Sequence, residues 1–386
     1  MDPDLLLTVV VTAAAFIALE SERNRQHNSI LSSNLRYIEH LRHQNAAYFF
    51  NYCGMRKPVF NALLKKLTSV MGGLSGSRKI GAGMKLMIFL SILRGHSYRA
   101  IATMWQHGYR QISQSMHQVI DSILRCQADI WQSTGEPILS DRIRMNAHYF
   151  PYFEHCLGAL DGTHVMAKVP PELQQRFRGR KGITQNVLGV CNFDMNFVMA
   201  LAGWEGSAHD ARVLNDAVQV RKLLPLFDSW YYLGDARYGL TPWCLTPYCG
   251  VRYNLREWDS AALANILPVN AKELFNMRHS ALRNVIDRTY GSVKARFPIL
   301  RVMPHGYSIP TQCNLVLTSF LIHNFIRLNQ DEEDDFRDID EVDDGEERHA
   351  VGVEFELEDD HNVAQAWRQG IADAMWADWL IAHPPI

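Results

Sequence analysis

The stretch CLGALDGTHVMAKV, residues 156–169, changes the character of the chain. An apolar run reaches Asp161, breaks at Gly162 and resumes, which predicts a strand into Asp161, a turn at Gly162 and a second strand. NVLGVCNF (186–193) and FVMALAGW (197–204) read as two more strands around the turn residues Asp194 to Asn196. DARVLNDAVQV (210–220) has helical character, and WYYLGD (230–235) is a buried-type strand that ends on a carboxylate. A loop-rich stretch with Pro242, Pro247 and Pro268 separates it from an amphipathic helix over 281–297. Strand, strand, strand, helix, strand, insertion and helix predict an α/β domain over 151–330, a mixed sheet with flanking helices.

The carboxylates of this domain carry its chemistry. Asp161 and Asp235 each close an apolar run, where a charge is expensive unless it is paired or bound to metal. Placed on neighbouring strands they would converge at one edge of the sheet, and Asp287 on the later helix could join them. Three carboxylates repel one another, so the natural occupant is a hard cation such as Mg²⁺ or Mn²⁺. Two such ions serve in-line displacement at phosphorus. The plainer reading makes each aspartate a turn former, since Asp161-Gly162 and Gly234-Asp235 are good turn pairs. The surroundings favour chemistry: His164, Lys168, Arg176, Arg178, Arg180 and Lys181 follow the first acid, as a polyanion approaching carboxylates requires. Asp210 is a rival second acid, read here as the N-cap of the 210–220 helix.

Upstream the pattern is helical. MKLMIFLSIL (84–93) stops at Gly95, Ser97 caps YRAIATMW (98–105), and a break at 106–108 leads to a helix over 112–124. This layout predicts an all-α, helix-turn-helix-like region over 61–150, following an N-terminal helical segment, 1–60. Its polar face carries Arg110, Gln111, Ser113, Gln114 and Gln118. The candidate DNA contacts are therefore Arg110, Gln114, Lys168, Arg178, Arg180 and Lys181, with Arg237 and Lys294 beside the acids.

Charge is unevenly spread. Residues 331–360 hold 17 acidic groups against Arg337 and Arg348, so a net charge of −2 conceals a body, 1–330, at +14. That suits a polyanion binder, and the acidic stretch reads as a disordered linker. Residues 361–386 close the chain as an amphipathic helix with Trp367, Ile371, Met375, Trp379 and Leu380 on one side. The 7 cysteines are scattered without a CxxC pair, which argues against a disulfide framework or a zinc site. LLLTVVVTAAAFIAL (5–19) is short for a membrane span, which needs about 20 residues, and reads as a packed or oligomerising helix.

Six ordered blocks then carry a resemblance: GALDGTHV (158–165), RFRGRKGITQNVLGVCNFDMNF (176–197), GWEGSAHDARVL (203–214), YYLGDARYGL (231–240), TPYCGVRYNLREW (246–258) and ELFNMRHSALRNVIDRTYGSVKARFPIL (273–300). Together they resemble the PIF/Harbinger transposase superfamily, over about Cys156 to Leu300. The resemblance implies an RNase H-like core and a DDE metal triad. Its first acid falls on Asp161, its second on Asp235, and its third, usually Glu, on Asp287. It also implies a metal-dependent endonuclease and transposase acting on transposon-end and target DNA in the nucleus, with a Myb-like partner protein and self-association. Two departures stand out: the shorter Asp at 287, and Arg237 where relatives usually carry Gly. They favour the alternative of a domesticated, weakly active or inactive DNA- or chromatin-binding protein.

Overall fold

A computed structural model describes residues 46–77, 80–131, 135–179, 181–253, 267–330 and 358–384. The 5–19 segment, Arg180 and most of the acidic stretch lie outside the described residues. The chain divides into two compact units, Met1–Ser122 and Ile123–Ile386.

The first unit is helical: α1 (Ala46–Cys53), α2 (Lys57–Ser69), α3 (Ala82–Leu93), α4 (Tyr98–Trp105) and most of α5 (Tyr109–Arg125). Helix α3 is apolar on every side, and all its residues from Met84 to Leu93 are buried, so it forms the centre of the unit. The Tyr52 hydroxyl ties α1 to it, accepting from Ser91 Oγ at 2.6 Å and from Trp105 Nε1 at 3.3 Å. As expected, Ser97 caps α4, its hydroxyl accepting from Ala100 N at 3.2 Å. Gln106, in the left-handed region at φ 53°, ends that helix. Helix α5 buries Ile112, Met116, Val119 and Ile120, and leaves Arg110, Gln114 and Gln118 exposed.

The second unit is a six-stranded mixed sheet with flanking helices. Its strands are β1 (Cys156–Met166), the two-residue β2 (Arg178–Gly179), β3 (Gly182–Cys191), β4 (Phe197–Glu205), β5 (Tyr231–Leu233) and β6 (Cys244–Leu245). β3 lies antiparallel to β1, and both β2 and β4 pair with β3. On its other side β1 runs parallel to β5, and β5 parallel to β6.

One expectation is corrected here. There is no turn at Gly162: β1 is a single strand that runs through Asp161-Gly162 to Met166. Continuous pairing with β3, from Ala159↔Cys191 to Met166↔Thr184, outweighs the local turn tendency of the Asp-Gly pair.

Helix α6 (Asp210–Asn215) and the turn after it pack Val213, Leu214, Ala217 and Val218 against Leu160, Leu188, Val190 and Met199 of the sheet. Helices α7 (Ala271–Arg296) and α8 (Ile309–Leu328) make the rest of the core. Phe320 of α8 stacks on Phe197 at 4.2 Å, and Asn324 bonds both the N–H and the carbonyl of Phe197. Helix α7 starts ten residues before the predicted 281, because the Asn270 side chain caps it by accepting from Glu273 N at 2.9 Å. The C-terminal helix α9 (Glu358–Ala382) sets Trp367 edge-on to Tyr231 at 4.8 Å, and Arg368 over the Tyr248 ring at 4.1 Å.

Candidate active site

The register of two parallel strands places the first two acids. Ala159 of β1 pairs with Leu233 of β5, so Asp161 and Asp235, each two residues further on, emerge at the same level. β5 ends at Leu233, and Asp235 caps the following 3-10 turn (Ala236–Tyr238), its Oδ1 accepting from Arg237 N at 2.8 Å. Asp161 and Asp235 are both buried.

Two arginines bind the acids together. Arg237 Nε lies 2.8 Å from Asp235 Oδ2, its Nη1 2.7 Å from Asp210 Oδ2, and its Nη2 3.7 Å from Asp161 Oδ1. Arg283 of α7 places Nη1 3.0 Å from Asp161 Oδ2 and Nη2 3.5 Å from Asp287 Oδ2. Thus Asp161, Asp235 and Asp287 are one cluster, and Asp210 is a fourth member. This corrects the N-cap reading of Asp210: His209 occupies the cap position, and Asp210 turns its carboxylate inward. Its Oδ1 accepts from Asn186 Nδ2 at 2.8 Å, while a second Asn186 N–H goes to the Ala208 carbonyl.

The backbone makes room for this cluster. A Cβ on Gly162 would stand 2.7 Å from Asp210 Oδ1, and one on Gly189 would stand 2.5 Å from the Tyr290 hydroxyl. That hydroxyl donates to the Asp161 carbonyl at 2.8 Å, locking α7 onto β1. Tyr253 accepts from Arg283 Nε at 3.0 Å, which fixes the guanidinium from behind.

The electrostatics follow from this packing. Burial pushes the Asp235 carboxyl up, but Arg237 and Arg283 outweigh it and hold the group below the usual carboxylate range. Asp210 goes the other way: burial raises it, and Arg237 and Asn186 only partly oppose that rise. Burial works against the charge of Arg237, but Asp235, Asp210 and Asp161 together hold its proton more firmly than usual. Four carboxylates against two guanidinium groups leave a local charge near −2. One neutral oxygen, Asn186 Oδ1, is buried at the same place without a hydrogen-bond partner. This donor set is chemically that of a hard-cation site. Among the described residues, however, no three His, Cys, Asp or Glu side chains stand at a spacing that holds a metal directly. The guanidinium groups fill the space between them.

The candidate DNA contacts divide into groups. Arg110 and Gln114 are exposed on α5 of the helical unit, and Arg178 and Lys181 are exposed beside the β2–β3 turn. Lys168 is half-buried, its backbone N–H bonded to Gln312 Oε1 at 3.0 Å. Lys294 is buried, with Nζ 2.6 Å from Thr163 Oγ1, so its charge acts inside the domain rather than on an open surface. Sequence reasoning missed Arg283 as part of the site. Its signal was present in its position four residues before Asp287 on one helix.

All four acids and both arginines fall within residues 160–324, which match the DDE superfamily endonuclease family. The chain carries a DDE endonuclease domain. Residues 28–125 match a domain of unknown function. A protein named ALP1-like from Arabidopsis thaliana is 27% identical over 210 residues, covering 49% of this chain and 47% of that protein. The HARBI1 proteins of Homo sapiens and Mus musculus, each provisionally named a nuclease, are 28% identical over 177 residues and 30% over 176. Each of those matches covers 44% of this chain and 45% of the relative, so the match spans under half of each relative's length. No solved structure matches the chain. The DDE domain of this chain is homologous to the ALP1-like and HARBI1 proteins. Among the described residues, no helix is long and apolar enough to cross a membrane.

Proposed function

We propose that this protein is a metal-dependent DNA endonuclease of transposase descent, cutting and joining transposon DNA at the Asp161, Asp235 and Asp287 cluster. The observation that carries the reading is the convergence of these acids from β1, the β5 exit and α7 within a DDE endonuclease domain. The sheet supports an RNase H-like reading, with three antiparallel strands, β4, β3 and β1, continued by the parallel β5 and β6. In this account Asp161, Asp235 and Asp287 hold divalent Mg²⁺ or Mn²⁺. Held by these residues, such a cation would supply Lewis-acid activation of a water or 3′-hydroxyl and charge stabilisation at the leaving oxygen.

The remaining residues position and screen. Tyr290 and Arg283 fix Asp161 against α7, and buried Lys294 offsets negative charge through Thr163. Exposed Arg178 and Lys181, with Lys168, would meet the DNA backbone, releasing counterions as they do so. The helix-turn-helix-like reading assigns Arg110 and Gln114 on α5 to duplex contacts. Nuclear localisation, a Myb-like partner and self-association belong to the same proposal, which rests for these on the family resemblance.

A second reading has its own observation in favour. Arg237 and Arg283 pair with the acids and offset about half of their charge, which suits a domesticated scaffold that binds DNA or chromatin without cutting it. The test is nicking of DNA by the purified chain in Mg²⁺ or Mn²⁺, with Asp161→Ala and Asp235→Ala alongside. The nuclease reading expects metal-dependent cutting that both substitutions abolish. Absence of cutting on transposon ends with a Myb-like partner added would replace it with the scaffold reading.

A further inference from the structure

The two arginines of the cluster are held very differently. Arg283 projects from the interior of α7, its side chain is 10% exposed, and Tyr253 backs its Nε. Moving it would break contacts with Asp161, Asp287 and Tyr253 at once. Arg237 lies on the short turn after β5, its side chain 30% exposed to solvent. It is the more accessible of the two cations.

Arg237 also has an anchor outside the predicted metal triad. Of its three carboxylate partners, Asp161 and Asp235 belong to the triad, but Asp210 does not. Asn186 fixes Asp210 by donating to Oδ1 at 2.8 Å, which leaves Oδ2 for Arg237 Nη1 at 2.7 Å. The orientation of this amide is set, because both of its N–H bonds go to acceptors, Asp210 and the Ala208 carbonyl. Its buried Oδ1 has no hydrogen-bond partner. A cation held by Asp161 and Asp235 would compete with the Arg237 guanidinium, which contacts both, while Asp210 gives Arg237 a third partner.

We propose that Arg237 is an internal counter-cation that competes with divalent metal for Asp161 and Asp235, with Asp210 as the anchor it keeps when displaced. The inference rests on the metal-site reading of the acids and adds a control to it. Without metal, Arg237 pairs with buried Asp235 and adds to Arg283 in offsetting the charge of Asp161. With metal, Arg237 retains Asp210 and its freed donors become available to a phosphate oxygen, the planar recognition to which a guanidinium is suited. Metal binding and nucleic-acid binding are thereby coupled, because each relieves the competition that opposes the other. Arg237 is a positioning residue in this scheme.

The test is Mn²⁺ binding to the full-length chain without DNA, followed by the electron spin resonance of free Mn²⁺. Wild type is compared with Arg237→Gln, Arg237→Lys and Asp161→Asn. The expected result is at least tenfold tighter binding in Arg237→Gln, an intermediate gain in Arg237→Lys, whose single ammonium cannot bridge three carboxylates, and weakened binding in Asp161→Asn. If Arg237→Gln fails to fold, the Lys variant still reads the competition. Equal affinity in wild type and both Arg237 variants, with loss in Asp161→Asn, overturns the competition and leaves the metal site standing. No binding above the Asp161→Asn level in any variant overturns both the competition and the metal-site reading.

Discussion

Arg283 and Asp161, 122 positions apart in the chain, meet at 3.0 Å in the buried centre of the DDE domain. Arg283 also reaches Asp287 one turn along its own helix, so one guanidinium joins the first and third candidate acids. Removing it would leave Asp161 as a buried carboxylate that has lost its closest cation. Such a loss is destabilising by about 3 kcal/mol. Arg283→Met should therefore shift the urea midpoint strongly. A shift below about 0.5 kcal/mol, the range of ordinary surface substitutions, would show that the pair contributes little to the fold.

Asp287 sits with its side chain 33% exposed, on the same face of α7 as Arg283. Extending it by one methylene in Asp287→Glu should leave stability within about 0.5 kcal/mol of wild type. Metal-dependent cutting should rise about tenfold, or about 1.4 kcal/mol in the barrier, as the carboxylate reaches further toward Asp161. Single-turnover cleavage rates measure this. An unchanged rate would show that the shorter side chain at 287 does not limit cutting.

His279 gives the fold a pH dependence. Burial drives it down to about 3, only partly opposed by its bond to the Leu245 carbonyl. In the unfolded chain it takes up its proton near pH 6.5. The unfolded state therefore binds more protons between these values, so the stabilisation is full above about pH 6.5 and declines as pH falls toward 3. Between pH 7 and 5 wild type should lose about 2 kcal/mol more than His279→Gln does. Parallel urea titrations at both pH values test this, and identical losses would contradict it.

Helix α9 is fastened through aromatic and cationic side chains as well as buried Ala372 and Met375. Trp367 packs edge-on to Tyr231, and Arg368 stacks on Tyr248 while donating to the Thr246 and Pro247 carbonyls. Trp367→Ala should cost about 2 kcal/mol, below the full value for a buried Trp because the ring is only half-buried. It should also speed limited proteolysis within 358–384. Unchanged proteolysis would mean that other contacts hold the helix.

The α/β order was legible because apolar strand-like runs alternate with turn residues and helical segments. Apolar runs separated by the turn residues Asp194 to Asn196 mark β3 and β4, and another apolar run marks β5. The level of Asp161 and Asp235 was legible in part, since both close apolar runs, but their alignment depends on the Ala159–Leu233 pairing that no local pattern encodes. The Asp161-Gly162 turn failed because long-range pairing with β3 prevailed, and Gly162 instead gives clearance to Asp210. Asp210 opens a helix and so looked like a cap, while its real partners, Asn186 and Arg237, are 24 and 27 positions away. Arg237 was visible as a cation beside an acid, but not as a bridge among three.

In the proposed function Asp161 and Asp235 form one catalytic metal site. Its most direct test is single-turnover nicking of transposon-end DNA in Mn²⁺ by wild type, Asp161→Asn and Asp235→Asn, with the fold of each checked by thermal melting. Asparagine keeps the shape of each side chain and removes its charge. Loss of cutting by at least a hundredfold in both folded variants is the predicted result. Cutting that persists in either one at the wild-type rate would contradict the claim.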